Sequence, residues 1–221
     1  MREEPRSDER FGSPQAAALY AAAARGELDR ARQLMAQGVS LDAANAREMT
    51  LLETAMREGN RRAFDNLLAL GANPVYLGSH RDTPMHFAAI LTDPYWLKTL
   101  LARGADTEVR NRLGETPLFR ALGQEANVQL LLDAGADIHA HSRSRETLLH
   151  KAAATLNYAQ VVRFLELGVD PRATDDLGGT FQRAFFMARE SLLNDSAKAA
   201  RAKVRAWLRE RGIAVEDAGQ R

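Results

Sequence analysis

Thr83-Pro84-Met85-His86-Phe87-Ala88-Ala89, followed after a short turn by Leu100-Leu101-Ala102-Arg103-Gly104-Ala105-Asp106, is the stretch that decides the fold. A threonine at the head of an apolar run caps the free amides of a helix, and proline is tolerated at the first helical position. The alanines that follow let a neighbouring helix approach closely. The second segment stops on glycine, which suits a left-handed C-terminal cap. The stretch therefore predicts a short helix, a turn, a second helix and a glycine stop.

The pattern recurs along the chain. Thr50, Thr83, Thr116, Thr147 and Thr180 stand 33, 33, 31 and 33 residues apart. Gly38, Gly71, Gly104, Gly135 and Gly168 keep the same beat, and each lies 12 residues before the next threonine. A period of this size is the signature of stacked repeats. The constant stretch from glycine to threonine predicts a projecting loop or hairpin of fixed length. Apolar residues at helical spacing mark the second helices, as in Ala63, Phe64, Leu67 and Leu68 or Val161, Val162, Phe164 and Leu165.

These units resemble the ankyrin repeat. The Thr-Pro-Leu-His start survives as Thr83-Pro84-Met85-His86 and, less closely, as Thr147-Leu148-Leu149-His150. The Leu-Leu-x-x-Gly-Ala-Asp ending survives at Leu100–Asp106 and Leu131–Asp137. The resemblance implies an all-α repeat solenoid of helix-turn-helix units with projecting hairpins or loops. About six units are expected by repeat logic, at 16–44, 45–77, 78–110, 111–141, 142–174 and 175–215. A charged tail is expected at 1–15, where it is read as disordered, and a short tail at 216–221.

Ala17 to Gly38 lacks the threonine and reads as an N-terminal cap. The last unit is stretched, with 32 residues from Thr180 to Gly212 where most units have 21. The extra length near 189–200 is expected to lengthen a helix or add a loop. The fourth unit is two residues short between Leu122 and Asn127, which predicts a shortened first helix. Gly114 and Gly178 occupy a hairpin position that Glu48, Arg81 and Arg145 fill elsewhere. The three charged tips are expected to adopt another turn, because glycine there permits positive φ.

In an ankyrin protein the hairpin tips and first helices line a concave binding face, so the resemblance directs the search for a site there. The middle three fingers gather Arg81, Arg110, Arg112, Arg143 and Arg145, with His80 and His141 beside them; Arg47, Leu113 and Asp176 complete the tip set. Guanidinium groups pair in two-pronged fashion with carboxylates and steer acidic surfaces. The alternative is a solvated edge that keeps the protein soluble. A second candidate patch is Ile90, Leu91, Tyr95 and Trp96, since aromatic residues anchor interfaces; against it, Trp96 is a ring that ordinarily packs between helices.

Composition narrows the function classes. The net charge of +1 gives no global pull toward nucleic acid, and no apolar run approaches the roughly 20 residues that insert in a membrane. Cysteine is absent, which excludes disulfides and thiolate metal sites. No phosphate loop, nucleophile elbow or third ligand near His139 and His141 is visible, so no enzyme, metal or cofactor is expected. The bias of 26 arginines to 4 lysines among the 30 basic residues associates with a GC-rich bacterial genome.

The expected function is a non-catalytic protein-binding module, a monomer when free, whose partner presents an acidic patch. Its most specific form is a bacterial immunity protein that neutralises a toxin such as a secreted phospholipase. A bacterial effector or scaffold is the alternative, and an enzyme the remote one. The charged start, Met1 to Pro14, lacks a leader's apolar core. The expected location is the bacterial cytoplasm, or the periplasm if a leader has been removed.

Overall fold

The computed structural model describes residues 11–45, 49–76 and 82–216. It divides into two compact units, Met1–Arg112 and Leu113–Arg221. The first holds α1 (Pro14–Arg25), α2 (Leu28–Ala36), α3 (Leu51–Glu58), α4 (Arg61–Leu70), α5 (Pro84–Ile90) and α6 (Tyr95–Ala102). The second holds α7 (Pro117–Ala121), α8 (Glu125–Asp133), α9 (Leu148–Ala154), α10 (Tyr158–Glu166), α11 (Phe181–Phe185), a 3-10 turn at Glu190–Leu192, and α12 (Asp195–Glu210). The described residues thus form six helix pairs and no strand; one isolated bridge joins Ala44 to Thr50.

Most of these helices are too short to persist alone in water, so caps and packing hold them. Thr50 shows the capping box in full: its Oγ1 accepts from the Glu53 amide at 3.2 Å, and the Glu53 carboxylate accepts from the Thr50 amide at 2.7 Å. In α5 and α9 a histidine takes the glutamate's part. The amides of Thr83 and Thr147 donate to Nδ1 of His86 and His150 at 3.3 and 3.2 Å. An amide only donates, so Nδ1 accepts and Nε2 carries the proton. His150 Nε2 then donates to the Gly179 carbonyl at 3.0 Å, which ties one repeat to the next.

The second helices end alike. Gly71, Gly104, Gly135 and Gly168 have φ of 101°, 78°, 84° and 95°. The next amide turns back on the helix, Ala105 N to Leu100 O at 3.1 Å and Ala136 N to Leu131 O at 2.9 Å. The aspartate that follows starts the loop: Asp106, Asp137 and Asp170 Oδ1 each accept the amide two residues on at 2.8 Å.

Within each unit the inner faces of the helices make the core. Leu19, Leu51, Leu52, Phe64, Leu67, Met85 and Leu97 are buried in the first, and Leu118, Phe119, Leu131, Phe164, Phe181 and Phe185 in the second. A fully buried side chain of this size contributes about 1.5–3 kcal/mol.

α7 has 5 residues where α9 has 7, so the two-residue deletion shortens the first helix of that repeat. The stretched last unit spends its extra length on the 3-10 turn and on a 16-residue α12.

The described ends of the chain are packed and hydrogen-bonded. The tail expected at 1–15 lies outside the described residues only through position 10. Phe11 is buried with its ring 4.7 Å from that of Tyr20, and Ser13 Oγ accepts the Ala16 amide at 3.1 Å to cap α1. At the other end Glu216 is tied down: its amide donates to Gln182 Oε1 at 3.0 Å and its carboxylate accepts from Thr180 Oγ1.

Candidate functional site

Three of the hairpins close with a bond from an amide to the carbonyl four residues on. Asn45 N reaches Met49 O at 3.0 Å, Ser142 N reaches Glu146 O at 2.9 Å, and Asp175 N reaches Gly179 O at 3.0 Å. A single closing bond leaves a turn instead of a ladder, so the described fingers carry no strand pair. Gly114 and Gly178 take φ of 74° and 72° in this turn. Arg145 stands in the same register and adopts φ 60°. The expectation of a different turn is therefore corrected at Arg145: the turn is the glycine turn, held by an arginine in the strained left-handed region, at about 1–2 kcal/mol. Glu48 and Arg81 lie outside the described residues.

The fingers of the second unit are joined tip to tip. Arg143 N donates to Leu113 O at 2.8 Å, and Asp176 N donates to Ser144 O at 3.0 Å. At Gly114 the loops run so close that a Cβ would stand 2.9 Å from Arg143 N, so only glycine fits there. The result is a backbone-linked row that presents Leu113, Arg143, Ser144, Arg145, Asp176 and Leu177 to solvent. Leu113 is 42% exposed and Leu177 83%. His141 is exposed beside the row, and its Nδ1 donates to Ser142 O at 3.2 Å.

The charges of this row are unspent. The guanidinium groups of Arg143 and Arg145 make no ion pair with any described residue. Elsewhere arginines are committed: Arg163 to Glu125, and Arg201 and Arg205 to Glu190 at 3.4 and 3.5 Å. Asp175, beside the row, accepts from the amides of Gly179 and Leu177, both at 2.9 Å. The Gly179 amide first, and then that of Leu177, holds its carboxyl below the ordinary value against the opposing effect of desolvation.

In the first unit, Arg110 and Arg112 are exposed on a loop whose Asn111 is buried and donates to Asp82 at 2.7 Å. Arg47, His80 and Arg81 lie outside the described residues.

The second candidate patch does not survive intact. Trp96 is only 3% exposed; its ring stands edge-on to Phe64 at 5.2 Å, inside the helix layer, so it offers no anchor to a partner. Tyr95 is half-buried: its hydroxyl donates to Asp65 at 2.6 Å, and Arg61, which pairs with Asp93 at 2.7 Å, lies 4.2 Å over its ring. Burial, then the Asp65 hydrogen bond, raises the phenol above its ordinary value. Ile90 at 36% exposure and half-buried Leu91 remain on the surface.

Two features escape the sequence reading. Leu156 adopts φ 56° in the column where Gly26 and Gly59 take 77° and 67°, and it is 53% exposed at the rim of a groove of about 560 Å³ shared with Leu192 and Leu193. Arg201 is 1% exposed; it donates to Phe185 O at 2.8 Å while its Nε has no hydrogen-bond partner. A signal existed for both: Leu156 fills a glycine column, and Arg201 falls on the apolar stripe of Ala197, Val204 and Leu208.

The row offers recognition chemistry: cations for carboxylates, apolar side chains flanking them, and a preorganised backbone. Among the described residues no group of three or more His, Cys, Asp or Glu could hold a metal ion, and no helix is long and apolar enough to cross a membrane.

Comparison with known proteins agrees with the repeat. A family model described as ankyrin repeats in three copies matches residues 85–175. A Serratia liquefaciens protein, PhlB, is 39% identical over 110 residues, 48% of each chain. A Caenorhabditis elegans homolog of transient receptor potential cation channel subfamily A member 1 is 31% identical over 184 residues, 82% of this chain and 15% of that one. The chain thus spans about half or less of these relatives' length. Among solved structures, the ankyrin repeat domain of Bcl-3 superposes with a TM-score of 0.67 at 27% identity, covering 89% of this chain and 86% of that one.

Proposed function

Since the chain is an ankyrin-repeat protein, a solenoid of the kind that serves as an interaction module, we propose that it grips a protein partner with an acidic surface patch through its loop tips. The observation that carries this reading is the row from Leu113 to Leu177, where the guanidinium groups of Arg143 and Arg145, without an ion-pair partner among the described residues, are flanked by exposed leucines on hydrogen-bonded loops. Interfaces favour arginine. Loops ordered before contact also lose less entropy on binding.

The finer role we assign is that of a bacterial immunity protein, which blocks a cognate toxin such as a secreted phospholipase by laying its fingers across the active-site mouth. Support comes from the arginine-rich composition and from similarity to a Serratia protein. Co-expression with the product of the neighbouring gene tests it: a stable complex and relief of toxicity are expected. Absence of both sinks the immunity role.

A further inference from the structure

Arg145 borders a groove of about 360 Å³ whose lining includes His139, His141, Thr147, Asp170 and Thr174. We propose that this groove takes a single carboxylate side chain, an aspartate or glutamate of the protein partner, with Arg145 as its counter-charge. The inference rests on the protein-binding reading above and names the chemistry of one subsite within it.

Three observations converge here. The turn at Arg145 is one that glycine makes without strain, as Gly114 and Gly178 do in the same register at φ 74° and 72°. Nothing in the turn calls for an arginine: its backbone bond, Arg145 N to Ser142 O at 3.1 Å, matches that of Gly178 to Asp175 at 3.0 Å. The side chain itself therefore has to account for the residue.

That side chain ends in a guanidinium with no ion-pair partner among the described residues, beside a groove lined by further donors. The His139 ring and the Thr174 hydroxyl make no hydrogen bond to a described residue. Val169 and Ala173 give the groove apolar wall for the methylenes of an entering side chain.

Charge decides which anion fits. The one carboxylate in the lining, Asp170, is engaged at Oδ1 by the Arg172 amide at 2.8 Å. Asp170 repels any anion, but a dianionic phosphate about twice as strongly as a carboxylate, so a single guanidinium offsets a monoanion more readily than a phosphoserine. A carboxylate also matches the fork of a guanidinium in two-pronged fashion.

The probe is a hexaglutamate peptide blocked at both ends, with hexaglutamine and hexaphosphoserine peptides as comparisons, titrated into the isotope-labelled full chain and followed by NMR. Hexaglutamate should give saturable shifts at Arg145 Nε, the His139 ring and Thr174, and hexaglutamine none. Arg145→Gly should abolish the shifts at the His139 ring and Thr174, whereas Arg145→Lys should keep them weakened. Stronger shifts with hexaphosphoserine, equal shifts at every exposed arginine, or an unaltered Arg145→Gly titration would each overturn the carboxylate groove.

A second arm separates this inference from the reading beneath it. In the co-expressed complex, Arg145→Gly should weaken affinity about tenfold or more, as loss of a charged contact does. If Arg143→Glu and Leu177→Asp weaken the complex while Arg145→Gly does not, the tips bind and the groove is not the subsite. If none of the three matters, the tip reading falls with it.

Discussion

Replacing Arg145 by glycine should make the protein more stable, although it deletes a side chain and adds none. An L-residue in the left-handed region carries about 1–2 kcal/mol of strain. Arg145 sits there at φ 60° with its side chain in solvent, so little packing is lost on truncation. Glycine relieves the strain but gains freedom in the unfolded chain, which costs about 0.5–1 kcal/mol. The net is a gain of about 0.5–1 kcal/mol. In a chain of this size that raises the melting temperature by about 1–4 °C.

Leu156 is the control, because its φ of 56° carries the same strain while nearly half of its surface is covered. Leu156→Gly forfeits about 1 kcal/mol of burial in addition, so its net change is near zero. Arg145→Ala removes the charge and keeps the strained backbone, and should leave stability near wild type. Calorimetry and guanidinium titration of the three variants decide the matter. An Arg145→Gly protein no more stable than Arg145→Ala would refute the claim that strain is stored at this tip.

Other consequences are open to direct measurement. Leu131→Ala should cost about 2–5 kcal/mol by chemical denaturation, and Leu68→Ala less, since Leu68 is only half-buried whereas Leu131 is fully enclosed. Lys151→Met should cost about 2–3 kcal/mol, because it takes the ammonium at 2.6 Å from a Glu115 side chain that is 2% exposed while Lys151 is only partly buried. Asp175 has a folded value below its ordinary one, so its stabilising effect is present above the unfolded pKa of about 3.9 and is lost as pH falls through the folded value. Asp175→Asn should therefore melt below wild type near neutral pH and match it in strong acid; a gap that persists in acid would contradict that sign.

Much of the architecture was legible because it is written in local chemistry. Thr50, Thr83 and Thr147 announce helix starts by what their backbone and side chains bond. Gly104 and Gly135 announce the stops by the φ they permit, and the deletion after Leu122 announces the short α7. The site was legible only in part. Arg143 and Arg145 could be placed on tips from register alone, but whether their charge is spent inside depends on neighbours brought close by folding. Tyr95 and Trp96 are adjacent in sequence, and which ring enters the layer is settled by Phe64, from the preceding repeat. Arg201 is buried because the stretched last unit supplies the Phe185 carbonyl and Glu190, contacts no periodicity reveals.

The central claim is that exposed arginines on the loop tips hold the partner. Its most direct test is the affinity of the Arg110→Glu, Arg112→Glu, Arg143→Glu triple variant for the partner recovered by co-expression, measured beside its melting temperature. The account predicts binding weaker by more than about tenfold with an almost unchanged melting temperature. Wild-type affinity in a folded triple variant would contradict it and assign those arginines to solvent.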